Sequence, residues 1–249
     1  MTKVKICGLK TLADVEKVNR YLPEYIGFVF ADTKRFVTDE QALRMRKALD
    51  KRIQAVGVFI NEPMEHIVEL CDRGVINAVQ LHGEESEDYI RELRQETDTT
   101  VIKAVKVQSV EPVLKRMSQE ADYMLFDTYK KGEPGGTGER FSLDILKESL
   151  KKLRVCGQAI KPYFLAGGLH WQNVTEVLGQ MECNTFRECN MFADCNTFAE
   201  RNVFAECNTL AECIAVDVST GVETDGIKDE KKIRQFIENV RNMNKVRPL

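Results

Sequence analysis

No apolar run in this chain of 249 residues approaches the length needed to span a bilayer, and the first residues carry no signal-peptide-like apolar core. Those two absences exclude a helical membrane protein and point to a cytoplasmic one. A basic excess is also missing: 36 Lys and Arg stand against 39 Asp and Glu, for a net charge of −3. Without a global positive field, nucleic acid is not an expected partner. Cysteine is not scarce, but a cytoplasmic location predicts thiols rather than disulfides. Only Cys7, Cys71 and Cys156 of the eight lie outside a short repeat.

What is present is alternation. Short apolar runs at 4–9, 25–30, 54–60, 78–82, 101–107, 123–127, 163–166 and 214–218 read as buried strands. Helical stretches follow them, among them 12–18, with Leu12, Val15 and Val18 at helical spacing, then 86–94, 110–117, 141–153 and 228–243. Thr38-Asp39-Glu40-Gln41 has the form of a capping box, and Pro63 suits a helical first turn. Eight strand–helix units in this length predict an α/β fold, a closed (β/α)8 TIM barrel. A doubly wound open sheet would normally use fewer strands.

A barrel gathers every loop that follows a strand on one face. On that face stand Cys7, Lys34-Arg35, Gln80 with His82, Asp127, Gly167-Gly168 and Ser219-Thr220-Gly221. Cys7 and Asp127, from strands one and six, would face each other across the mouth as an acid/base pair; packing and helix capping are the plainer uses of such residues. Arg35 offers an anion contact or a solvated loop. Gln80 and His82 share one strand face, so they point the same way. Gly167, Gly168, Ser219 and Thr220, in loops after strands seven and eight, lie where barrels of this kind bind phosphate through backbone N–H groups. Lys5 shares the face of Cys7 one layer deeper, and Asp217 lies on the strand that closes against strand one. An inward charge must be paired, so a buried Lys5–Asp217 ion pair is expected.

Taken in order, Lys5-Ile6-Cys7-Gly8-Leu9, Lys34-Arg35-Phe36-Val37, Val56-Gly57-Val58-Phe59, Val79-Gln80-Leu81-His82-Gly83, Leu125-Phe126-Asp127, Gly135-Gly136-Thr137-Gly138, Leu165-Ala166-Gly167-Gly168-Leu169, Asn173-Val174 and Val216-Asp217-Val218-Ser219-Thr220-Gly221-Val222-Glu223 resemble the phosphoribosylanthranilate isomerases of tryptophan biosynthesis. The resemblance covers the chain from residue 4 to about residue 240, apart from one insertion. It implies an Amadori rearrangement of a small phosphosugar substrate, with Cys7 as general base, Asp127 as general acid, and Arg35, Gln80 and His82 at the substrate. It implies no metal and no organic cofactor. Thr33, Ser142-Leu143 and His170-Trp171 depart from the family's usual residues. A neighbouring phosphosugar barrel is the other enzymatic reading, but the histidine-pathway isomerase would be expected to carry aspartate at position 7. A non-enzymatic scaffold would leave the function to the repeat.

That repeat, 182–213, runs Glu-Cys-Asn-Thr-Phe-Arg and then varies the same six residues. It is expected to be an insertion before strand eight of a single domain spanning 1–249. Cysteines separated by five intervening residues, without histidine, make a poor zinc pattern. The recurrent phenylalanines make self-association the role it would suit.

Overall fold

The computed structural model describes residues 1–117, 120–127, 138–181 and 213–246. The expected repeat at 182–213, except Cys213, and the glycine-rich stretch at 135–137 lie outside the described residues. Eight parallel strands close into a barrel in chain order: β1 (Lys3–Cys7), β2 (Tyr25–Val29), β3 (Gln54–Phe59), β4 (Ala78–Leu81), β5 (Thr100–Lys106), β6 (Tyr123–Asp127), β7 (Tyr163–Ala166) and β8 (Cys213–Val218). Closure is made by β1 against β8, with Lys5 opposite Asp217 in register. The expected (β/α)8 architecture is therefore present.

The helices between the strands are α1 (Leu12–Tyr21), α2 (Asp39–Ala48), α3 (Met64–Asp72), α4 (Glu87–Glu96), α5 (Val110–Lys115), α6 (Gly138–Val155), α7 (174–181) and α8 (Glu230–Val246). Alternation along each strand sends one set of side chains outward to these helices and the other into the barrel. On β1, Val4 and Ile6 join the outer core, whereas Lys5 and Cys7 point inward. Val56, Ala78, Ile102, Leu125 and Phe164 fill the interior below the mouth. Among the described residues no helix is long and apolar enough to cross a membrane.

Three local expectations change. Leu12 is half exposed, and Asp14 is buried in its place. A capping box explains the rotation: Thr11 accepts from the Asp14 amide, and Asp14 accepts from the Lys10 and Thr11 amides, which draws the carboxylate inward. Second, α6 begins at Gly138, three residues before the helical stretch expected at 141–153. Third, residue 228 does not begin the closing helix. Asp229 accepts the amides of Lys231 and Lys232 and so starts α8 later. Ile227–Lys228 instead pairs antiparallel with Glu223–Thr224 across Asp225 and Gly226, both at positive φ, as a two-residue hairpin turn requires.

Candidate active site

The mouth of the barrel holds two connected groups of side chains. The first starts at Cys7, the last residue of β1, whose side chain points inward and is buried. Burial pushes its thiol up, and Asp217 pushes the same way, while the ammonium groups of Lys5 and Lys228 pull it back. Lys5 lies beneath it, wholly buried, with Nζ 3.1 Å from Asp217 Oδ2. Burial alone would lower the Lys5 pKa, but Asp217 and Cys7 reverse that and leave it above its ordinary value. The expected pair is thus in place.

Arg35 reaches the same corner from the loop between β2 and α2. Its backbone N–H donates to the Thr33 hydroxyl at 3.1 Å, so threonine performs the loop-turning task at this departure from the family pattern. The guanidinium donates two bonds to Glu223, from Nε and Nη2, each 3.0 Å. That pairing raises the Arg35 pKa and, with Lys228, holds the Glu223 carboxyl below its usual range against the effect of burial. The arginine stem crosses Gly8, where a Cβ would sit 2.3 Å from Arg35 Cδ. Gly8 has φ +80°, a conformation glycine adopts without strain. The motif glycine after Cys7 thereby makes the bed on which the arginine lies.

Ser219, at the end of β8, donates its hydroxyl to the Cys7 carbonyl at 3.0 Å and accepts Lys228 Nζ on its own carbonyl at 3.0 Å. Lys228 also donates to Glu223 at 2.7 Å. Its burial keeps its pKa below the ordinary lysine value even so. Glu223 and Lys228 were not singled out from the sequence as site residues. The Asp225-Gly226 turn dipeptide was the available signal, since it marks a hairpin that folds Lys228 back onto Glu223.

The second group lies across the mouth. Gln80 Nε2 is 2.8 Å from His82 Nδ1, and His82 Nε2 is 3.6 Å from Asp127 Oδ2. The shared strand face expected for Gln80 and His82 is what brings them into contact. The loop bearing His82 is held from below by Lys103, which donates to the Gly83 carbonyl at 2.8 Å and to Glu85 at 2.5 Å. Gly167 and Gly168 follow β7, which pairs with β8, so they stand beside Ser219 and Thr220. Asn173 pins that loop by accepting the His170 amide at 2.8 Å and donating to the Gly168 carbonyl at 3.0 Å. Among the described residues, no three His, Cys, Asp or Glu side chains gather closely enough to hold a metal ion.

A thiol and a carboxyl on the rim of one barrel, with an arginine and two adjacent small-residue loops, can move protons at two ends of an anionic substrate. A family profile described as N-(5'phosphoribosyl)anthranilate (PRA) isomerase matches residues 4–187 and 198–239. An N-(5'-phosphoribosyl)anthranilate isomerase of Lachnoclostridium phytofermentans is 41% identical over 238 residues, 94% of this chain and 95% of its own length. The crystal structure of phosphoribosyl anthranilate isomerase from Thermotoga maritima matches with a TM-score of 0.71 at 30% identity, covering 97% of this chain and 100% of that one. Another structure of such an isomerase, in complex with reduced 1-(o-carboxyphenylamino)-1-deoxyribulose 5-phosphate, matches with a TM-score of 0.67 at 28% identity, covering 97% and 100%.

Proposed function

Because the chain belongs to the N-(5'-phosphoribosyl)anthranilate isomerase family, we propose that Cys7 and Asp127 are the base and the acid of its Amadori rearrangement. The reaction converts N-(5'-phosphoribosyl)anthranilate to 1-(2-carboxyphenylamino)-1-deoxyribulose 5-phosphate in tryptophan biosynthesis. Asp127 gives its proton to the furanose ring oxygen as the C1′–O bond breaks, and the anthranilate nitrogen supplies the electron pair that forms the iminium. Cys7 then takes the proton from C2′, and those electrons neutralise the iminium as an enolamine. Tautomerisation to the ketone returns a proton to C1′ and removes one from the C2′ hydroxyl. The observation that carries this reading is the placement of Cys7 and Asp127 at the ends of β1 and β6, on the same rim.

A thiol at its ordinary pKa is only a few per cent ionised at neutral pH, and burial disfavours the thiolate further. Lys5 and Lys228 offset that here. Asp127 must begin protonated, and His82 beside it is suited to orient its carboxyl. Arg35 receives the anthranilate carboxylate. Backbone N–H groups of Gly167, Gly168, Ser219 and Thr220 receive the phosphate. Part of the support is the phosphosugar analogue bound by the relative described above. The cytoplasm is the place of action in this reading, because a reducing compartment preserves a thiol base. Self-association belongs to the same proposal, since a Thermotoga maritima isomerase at 28% identity is described as dimeric.

The test is steady-state kinetics of Cys7→Ser and Asp127→Asn on freshly prepared substrate. Each should lower kcat by about 10²–10⁴-fold with a smaller change in KM. Near-normal turnover in either variant ends that assignment.

A further inference from the structure

Arg35 and Lys228 are two cations that converge on one carboxylate, Glu223, and the arrangement has more order than charge neutralisation needs. Glu223 takes Arg35 Nε on Oε1 and Nη2 on Oε2, a two-point grip that fixes the plane of the guanidinium as well as its position. The side chain of Glu223 is 9% exposed and that of Lys228 is 1% exposed, whereas that of Arg35 is 28% exposed. The buried partners therefore form the mount, and the arginine is the part that meets solvent. The mount is itself anchored. Lys228 holds Glu223 at 2.7 Å and the Ser219 carbonyl at 3.0 Å, and Ser219 holds the Cys7 carbonyl at 3.0 Å.

A guanidinium has five N–H donors, and Glu223 occupies two of them. Three remain for a second carboxylate. An arginine on a loop of its own would have to lose rotamer freedom whenever it gripped a ligand. Here that ordering is done before the ligand arrives, by a carboxylate from the far end of the chain. We propose that Glu223 is a positioning residue for substrate binding: it holds Arg35 in the orientation that receives the anthranilate carboxylate, with Lys228 keeping Glu223 itself in place. The inference rests on the reading of Arg35 as the carboxylate contact.

Glu223→Gln, Arg35→Met and the double variant form a cycle in which KM and kcat are measured on N-(5'-phosphoribosyl)anthranilate, with circular dichroism to establish folding. Glu223→Gln should raise KM about tenfold, the scale of one charge-assisted hydrogen bond, and change kcat less than about threefold. In the Arg35→Met background the same substitution should add less than about twofold, because the residue it positions is gone. A merely structural role would change KM and kcat together, and by the same factor in either background. An unchanged KM in Glu223→Gln, or an undiminished effect in the Arg35→Met background, overturns the proposal. Arg35→Met with normal KM instead overturns the reading of Arg35 beneath it. If Glu223→Gln does not fold, Glu223→Asp, which keeps the charge and withdraws the carboxylate, takes its place with the same expected rise and the same refuting outcomes.

Discussion

Lys5 Nζ lies 3.1 Å from Asp217 Oδ2 inside the barrel, directly beneath the Cys7 thiol, and the two side chains are 0% and 9% exposed. Asp217 Oδ1 has no hydrogen-bond partner among the described residues. A buried ion pair of this kind is weak evidence for stability, because desolvation offsets much of the attraction. Its position suggests another use. Lys5, Asp217, Lys228 and Arg35 are the charged groups that act on Cys7, and the pair supplies one of each sign.

Lys5→Met should therefore raise the Cys7 pKa and move the low-pH limb of kcat/KM upward, whereas Asp217→Asn should move both downward. Removing one partner of a buried pair destabilises by about 3–5 kcal/mol, so Lys5→Met/Asp217→Leu is the folded reference. Peptide-resolved alkylation of Cys7 against pH measures the thiol without recourse to activity. A titration that neither substitution moves would show that the pair only fills the barrel.

Gly8→Ala should disturb Arg35 more than it disturbs the barrel. The residue would be left-handed, which costs about 1–2 kcal/mol, and its Cβ would meet the arginine stem. We expect a loss of unfolding free energy of that size, read from thermal or denaturant unfolding, and a raised KM. A variant with normal KM would mean that the stem has another route to the same place.

Gln80 Nε2 and His82 Nδ1 are 2.8 Å apart, and in the proposed mechanism they serve as one unit. Gln80→Met and His82→Asn should each lower kcat by about tenfold, and the double variant should be little worse than either alone. Fully multiplicative losses in this cycle would mean that the two residues work independently.

Glu85 and Lys103 form a second buried pair, with side chains 1% and 6% exposed, and the amides of Asn61 and Gly83 also donate to Glu85. Burial would raise the Glu85 pKa, but Lys103 and the Asn61 amide hold it below the usual value. A depressed carboxyl contributes stability above its unfolded pKa, about 4.3, and that contribution is lost as pH falls through the folded value. Glu85→Gln should be less stable by about 3–5 kcal/mol at pH 7, with the deficit shrinking below about pH 4. Thermal unfolding across that range decides it; a deficit independent of pH would show that the charge of Glu85 is not what matters.

His66 joins the starts of α2 and α3, with Nδ1 2.8 Å from Glu62 and Nε2 3.0 Å from Asp39. Arg73, just past the end of α3, approaches Asp39 at 3.9 Å. Burial would lower the His66 pKa, but the two carboxylates outweigh it and leave the pKa raised. A raised histidine stabilises fully below its unfolded pKa, about 6.5, and the effect is lost as pH rises through the folded value. His66→Gln should thus lower the melting temperature at pH 6 and approach the parent at pH 9. Equal losses at both pH values would assign the effect to packing against Phe30 and Phe59 instead.

Periodicity and punctuation along the chain were enough to place eight strands, their order and the rim that carries Cys7, Arg35, His82 and Asp127. The same local chemistry identified the Thr38 capping box, whose two hydrogen bonds are both present. The Lys5–Asp217 pair also followed, because two-residue alternation puts Lys5 inside and closure puts β8 beside β1. Local signals failed where competing local bonds set a helix's phase or start, as at Asp14 and Asp229. They could not reach Glu223 as the partner of Arg35, because 188 positions separate the two and no periodicity encodes that meeting. Only closure of the barrel brings the β8 hairpin over the β2 loop. Only burial then decides which way each pKa moves, because desolvation and the nearest opposite charge are properties of the folded neighbourhood rather than of the residue.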